Sequence, residues 1–151
     1  MPGGILSFLI FFPIFAGLFI GIGSASDAIK KRIKFFALLF TLIEMLLSIL
    51  LYFSYDKENG GFQFIDYFDA WIPFETFRAQ YLVGIDGLSA PLVLLTGILG
   101  FCAVIASLKI SFREREYFMW LLILQGVVTG VFSSLDMLLL FVFWEAELIP
   151  M

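Results

Sequence analysis

Residues 87–108 read GLSAPLVLLTGILGFCAVIASL, 22 positions without one Asp, Glu, Lys or Arg. At 1.5 Å per residue such a run makes a helix of about 33 Å, enough to cross a hydrocarbon core of roughly 30 Å. Working outward, residues 117–135 are also uncharged, and residues 35–55 are interrupted only by Glu44. Toward the N-terminus, residues 1–26 carry no charge, which gives a further span over about 4–24. A last run starts at Met137, reaches Glu145 and stops at Met151. The expectation is an all-α polytopic membrane protein with four full transmembrane helices and a truncated fifth. It forms one membrane domain, 1–151, with spans near 4–24, 35–55, 87–108, 117–135 and an incomplete 137–151.

Composition agrees. Of the 151 residues, 62% are apolar even without glycine and 15% are charged, against roughly 45–50% apolar, glycine included, in a soluble domain. A chain of this size has too little interior to hide that much apolar surface from water. With no histidine and one cysteine, Cys102, the chain by itself offers no disulfide, Cys/His zinc site, histidine-ligated haem or iron–sulfur cluster. A Ser-His-Asp or Cys-His hydrolase is excluded too. The net charge of −4 argues against a nucleic-acid partner, which wants a basic face.

Ser24-Ala25-Ser26 looks like a signal-peptide cleavage site, but a signal peptide carries its positive charges before the apolar run. Here Lys30, Lys31, Arg32 and Lys34 follow it, so an uncleaved anchor is expected. Those four, with Lys109, Arg113 and Arg115, make seven basic residues on one side of the alternation. Only Lys57 and Arg78 fall on the other. Basic residues stay cytoplasmic, so the N-terminus and the 56–86 segment are expected outside, with the chain in a bacterial inner membrane or its organellar equivalent.

The 56–86 segment is expected to be an ordered external loop. It is acidic (Asp56, Glu58, Asp66, Asp69, Glu75, Asp86) and rich in aromatics, and Phe62–Tyr67 alternates like a strand after a Gly60-Gly61 turn. Trp71, Phe74 and Phe77 fit either a specific interfacial element or an aromatic belt at headgroup level. Gly17-x-x-x-Gly21 and Gly126-x-x-x-Gly130 permit close helix approach, and Pro13 marks a kink in the first span.

Ionisable groups inside an apolar span are the informative ones, and there are three: Glu44, Glu145 and Glu147. Asp136, at the start of the fifth run, reads as a helix cap. Glu145 lies about 13 Å further along the axis, near mid-membrane. An ionised, unpaired carboxylate there is costly, so its protonation answers to its neighbours, as a proton relay requires. The alternative is a structural hydrogen bond to another helix. Pro150 cannot donate to the carbonyl four residues back, which leaves the Ala146 oxygen free for water beside Glu145. Glu147 is about 200° round the helix from Glu145 and faces another helix, a neighbouring subunit or a second hydrated region. Glu44 belongs to no motif and suits structural pairing. No span holds a lysine or arginine, so a cation able to tune these carboxylates comes from another chain or from sequence beyond Met151.

Two stretches resemble a known family. Trp71-Ile72-Pro73 with Tyr81-Leu82-Val83-Gly84-Ile85-Asp86-Gly87-Leu88-Ser89 is similar to the approach to the third span in the antiporter-like subunits of respiratory complex I. The stretch from Glu116-Tyr117 through Asp136-Met137 to Trp144-Glu145-Ala146-Glu147-Leu148-Ile149-Pro150-Met151 is closer still, and its ending resembles subunit M of proton-translocating NADH:quinone oxidoreductase, the mitochondrial chain 4 type. The resemblance implies that Glu145 is the fifth-helix glutamate of a charged axis essential to proton pumping. It implies that NADH, flavin, iron–sulfur clusters and quinone are handled by other subunits, with membrane-arm subunits and the bilayer as partners. Glu44 and Glu147 are extra to the family pattern. A full member has many more helices, including lysine-bearing ones, so the chain is expected to be an N-terminal fragment that completes no proton path alone. The competing readings are a subunit of an Mrp-type cation/proton antiporter and a non-catalytic assembly fragment.

Overall fold

A computed structural model of the chain describes residues 4–22, 32–58, 60–74 and 77–151. For 69–74 and 77–79 it describes the backbone alone. The Ser24-Ala25-Ser26 site, Lys30, Lys31 and Glu75 therefore lie outside the described residues, as do the side chains of Trp71, Phe74 and Phe77. The element order is α1 (Ile5–Ile22), α2 (Ile33–Ser54), β1 (Gln63–Phe74), β2 (Phe77–Ile85), α3 (Ser89–Ala106), a 3-10 turn (Ser107–Lys109), α4 (Glu114–Ser133) and α5 (Met137–Glu147). The expected helical class holds, and four of these helices are long and apolar enough to cross a membrane.

Two boundaries differ from the apolar runs. α4 starts at Glu114, because Glu114 and Glu116 sit favourably in a first turn, where the helix dipole is positive. α5 ends at Glu147 rather than running on past Pro150. The Leu148 N–H turns back to the Glu145 carbonyl at 3.3 Å, and a proline shortly after a helix end is where proline belongs. Among the described residues Pro150 thus follows the end of α5.

α1 packs chiefly along α4, and α2 along α3, while α4 also meets α3 and α5. The glycine pairs explain the first contact. A Cβ on Gly17 would stand 2.7 Å from the Met119 carbonyl oxygen of α4. One on Gly126 would strike the Ile10 carbonyl of α1, with Pro13 Cγ 2.9 Å away. Gly17 and Gly126 are therefore each the seat of the other helix's backbone. Gly130 does the same for the Phe143 ring of α5, 2.8 Å from where a Cβ would lie.

One end of the bundle is held by basic residues. Lys34 Nζ pairs with Glu114 at 3.1 Å and donates to the Leu108 carbonyl at 2.9 Å, joining α2, α4 and the 3-10 turn that follows α3. Arg115 Nε donates to the Ile20 carbonyl at 3.0 Å, and its Nη2 donates to the Gly21 carbonyl. That puts a cation on the carbonyl end of α1, where the helix dipole is negative.

The opposite end carries an antiparallel hairpin, with Asp66 opposite Val83 and Phe68 opposite Tyr81. The strand-like start at Phe62–Tyr67 belongs to β1; the pairing with Phe77–Ile85 is new. β2 is also stitched to the α4–α5 connection, since the Leu135 N–H donates to the Leu82 carbonyl at 2.9 Å and Val83 bridges Ser134. Val83 and Ile85 are fully buried. Asp66, also buried, accepts from the Ser7 N–H at 3.0 Å, from Ser7 Oγ–H at 2.9 Å and from the Gly4 N–H, and so caps α1. Tyr81 Oη donates to Ser7 Oγ at 3.0 Å. Burial raises the Tyr81 phenol above its ordinary value; the Ser7 hydrogen bond opposes this and the Asp66 charge adds to it.

Candidate functional site

Asp136 starts α5, accepting from the Leu138 and Leu139 N–H groups at 2.9 and 3.0 Å, so the expected cap is present. Leu139 and Phe143 are buried against the bundle, and Ala146 packs beside them. With that face turned inward, Glu145 is left exposed and Glu147 half-buried. Both belong to a helix that packs on α4 and β2.

Glu44 sits elsewhere, halfway along α2 on its inward face, which repeats Ala37, Thr41, Glu44, Ser48 and Leu51. It is buried, at 1% exposure, and among the described residues its Oε2 has no hydrogen-bond partner. The chain thus holds two separate settings for a helix carboxylate: one on the outer face of α5, one inside the bundle. Glu145 is open to whatever covers α5, whereas Glu44 is closed in by its own helices.

A residue not singled out from sequence is Gln125, halfway along α4, 5% exposed, with neither Nε2 nor Oε1 partnered among the described residues. A lone amide in an apolar run was its only signal, and an uncharged side chain does not stand out in a search for charge. Asp86 was noted only as acidic. Its Oδ1 accepts from the Ser89 N–H at 2.7 Å and from Ser89 Oγ at 2.8 Å, while Ser89 Oγ accepts from the Asp86 N–H at 2.8 Å. This reciprocal cap opens α3. It holds the Asp86 carboxyl below its ordinary value, chiefly through the Ser89 backbone and side-chain hydrogen bonds.

The fold and these placements define a multi-pass helical membrane protein with a strand hairpin closing one end and isolated carboxylates within its helices. By sequence, the chain is homologous over 96% of its length to proteins named NAD(P)H-quinone oxidoreductase chain 4. It is 36% identical over 146 residues to the chain 4 of Acaryochloris marina, 36% to chain 4-2 of Synechocystis sp. and 34% to the chloroplast chain 4 of Chara vulgaris. The chain spans between a quarter and three-tenths of the length of these curated relatives: 27%, 25% and 29%. No protein-family model matches it. Its fold is similar to a chain of the Thermus thermophilus respiratory complex I with bound NADH (TM-score 0.73, 23% identity, 96% of this chain and 27% of that one). It is equally similar to a chain of the membrane-bound sulfane sulfur reductase, an archaeal respiratory membrane complex (TM-score 0.74, 22% identity, 98% and 29%).

Proposed function

We propose that this chain works as part of a proton-translocating membrane subunit of NADH:quinone oxidoreductase, with Glu145 as a proton-relay group. The observation that supports this most is the homology to chain 4 proteins along 96% of the chain, together with a carboxylate set nine residues past the Asp136 cap. A helix carboxylate about 13 Å from its cap lies deep in the membrane. There it is stable as a charge only beside a cation or water, and neutral otherwise. Its exposure on α5 leaves it open to a charged group on a neighbouring membrane-arm subunit or on further helices of the same subunit. A change in that group's charge then changes the proton occupancy of Glu145.

Glu147 and Glu44 are secondary protonatable candidates in this reading, Glu147 on the other side of α5 and Glu44 within the bundle. NADH, flavin, iron–sulfur clusters and quinone are assigned to other subunits. The basic end that holds Lys34, Lys109, Arg113 and Arg115 faces the cytoplasm and the hairpin end faces outward, following the seven-to-two division of basic residues.

The test is Glu145→Gln in the subunit assembled with its oxidoreductase complex, measuring NADH oxidation and proton translocation together. The expected result is a loss of most coupled activity, tenfold or more by analogy with the removal of a group needed in proton transfer. Near-normal translocation would reject the assignment. Cation/proton exchange that continues without NADH would favour the antiporter reading instead.

A further inference from the structure

Two apolar clusters fill the bundle, and within each helix something else separates them. One contains Leu9, Ile10, Leu51, Val93 and Val127; the other contains Ala16, Ala37, Val104 and Leu122. Between these positions lie Pro13 of α1, Thr41, Glu44 and Ser48 of α2, Gly97 and Gly100 of α3, and Gln125 of α4. The glycine contacts put these at one level. A Cβ on Gly97 would strike Ser48 Oγ, and one on Gly100 would strike the Gln125 amide. α2 and α3 run in opposite directions, so Glu44, one turn before Ser48, lies level with Gly100 and hence with Gln125.

The hydroxyls in this layer are used locally. Thr41 Oγ donates to the Ala37 carbonyl at 2.9 Å, Ser48 Oγ to Met45 at 2.8 Å and Thr129 Oγ to Gln125 at 3.0 Å. Among the described residues, Glu44 Oε2 and both polar atoms of the Gln125 side chain are left without partners. Buried polar groups are almost always hydrogen-bonded, through water where protein supplies nothing. The two residues are 1% and 5% exposed, so bulk water does not satisfy them from the surface.

Charge compensation is absent from the surrounding spans as well. α1 carries no titratable group and α3 only Cys102, which is exposed. The charged residues of α4 are Glu114, Arg115 and Glu116, and the basic residue of α2 is Lys34. From Gln125 to Glu116 is nine residues, about 13 Å along the axis, and from Glu44 to Lys34 is ten, about 15 Å.

The geometry points to a buried hydration site whose ligands are water and one exchangeable proton, held between the Glu44 carboxyl and the Gln125 amide. Glu44 is the neutral acid: its carboxyl O–H donates to water, and that water donates to Gln125 Oε1. Gln125 Nε2 donates to water in turn. This site is distinct from Glu145, which lies on the outer face of α5, and it needs no redox partner.

Infrared spectroscopy of the 151-residue chain in lipid bilayers, in H2O and D2O at neutral pH, tests it. Every sample carries Glu145→Gln and Glu147→Gln, so that wild type here means wild type at Glu44 and Gln125. The expected wild-type spectrum contains the carbonyl band of a protonated carboxyl, which Glu44→Gln removes. The band moves to lower frequency in D2O and shifts in Gln125→Leu, as the hydrogen bonding of the acid changes. Should Glu44→Gln fail to fold, the D2O and Gln125→Leu responses of the wild-type band still decide. A spectrum without the band, a band that survives Glu44→Gln, or one indifferent to both D2O and Gln125→Leu would overturn the inference. None of these readings depends on proton pumping, so the Glu145 assignment stands or falls separately.

Discussion

Asp66 of the hairpin holds Ser7 of the first helix by two bonds, its carboxylate accepting from the Ser7 N–H at 3.0 Å and from the hydroxyl at 2.9 Å. Residues 59 positions apart thus form a helix cap. The cap comes from another element rather than from the residue before the helix, as is usual. Replacing Asp66 by Ala leaves buried donors unpaired and is expected to cost about 1–3 kcal/mol. Thermal unfolding in detergent would show it as a lowered midpoint, with Tyr81→Phe giving the same effect at smaller size. Equal midpoints for Asp66→Ala and wild type would mean the hairpin is not holding α1.

Asp86 supplies a pH dependence with a definite sign. Its folded-state pKa lies below the ordinary value, so the unfolded chain binds the proton more readily. The stabilisation is fully present above the unfolded value of about 3.9 and is lost as pH falls through the lower folded value. Asp86→Asn is therefore less stable than wild type near neutral pH, and the gap closes at strongly acidic pH. Unfolding of the two proteins across that range is the measurement; a gap that widened on acidification would contradict the cap.

The α1–α4 crossing tolerates no side chain at Gly126, where a Cβ would meet the Ile10 carbonyl and lie 2.8 Å from Ile14 Cγ1. Gly126→Ala is expected to destabilise by about 1–3 kcal/mol through overpacking. Gly87→Ala is the control, since its nearest neighbour would be Tyr55 Oη at an ordinary 3.7 Å. The two variants should separate clearly in thermal unfolding.

Orientation is open to chemical labelling. In a Cys102→Ser background, Glu58→Cys on the hairpin side should react with a membrane-impermeant thiol reagent added to intact cells. Phe112→Cys, at the basic end where Phe112 is 80% exposed, should react only after permeabilisation. The reverse pattern would invert the topology.

The helices were legible because each is an apolar run of membrane length, and the caps because Asp136 stands at the edge of one. The hairpin was only half legible. Phe62–Tyr67 alternates, but Tyr81-Leu82-Val83-Gly84-Ile85 is nearly continuous in apolar character. That is what a strand buried on both faces looks like, and equally what the approach to a span looks like. Gln125 escaped notice because its meaning depends on burial without a partner, a property of packing rather than of residue type. Glu145 stands out in the sequence as a carboxylate in an apolar run, and its exposed setting on α5 comes from which face Phe143 and Ala146 turn inward.

The Arg115 clasp on Ile20 and Gly21 has a consequence for biogenesis. The partners that fix the first helix are Asp66, Tyr81, Arg115 and Gly126, all made well after it. As the chain leaves the ribosome and enters the bilayer, the hairpin can clasp the start of α1 through Asp66 and Tyr81, but the Arg115 clasp at its other end and the Gly126 seat wait until the fourth helix is inserted. The first helix is therefore fully held only late, which makes the interval before α4 arrives the one in which a membrane chaperone or protease would find it least secured.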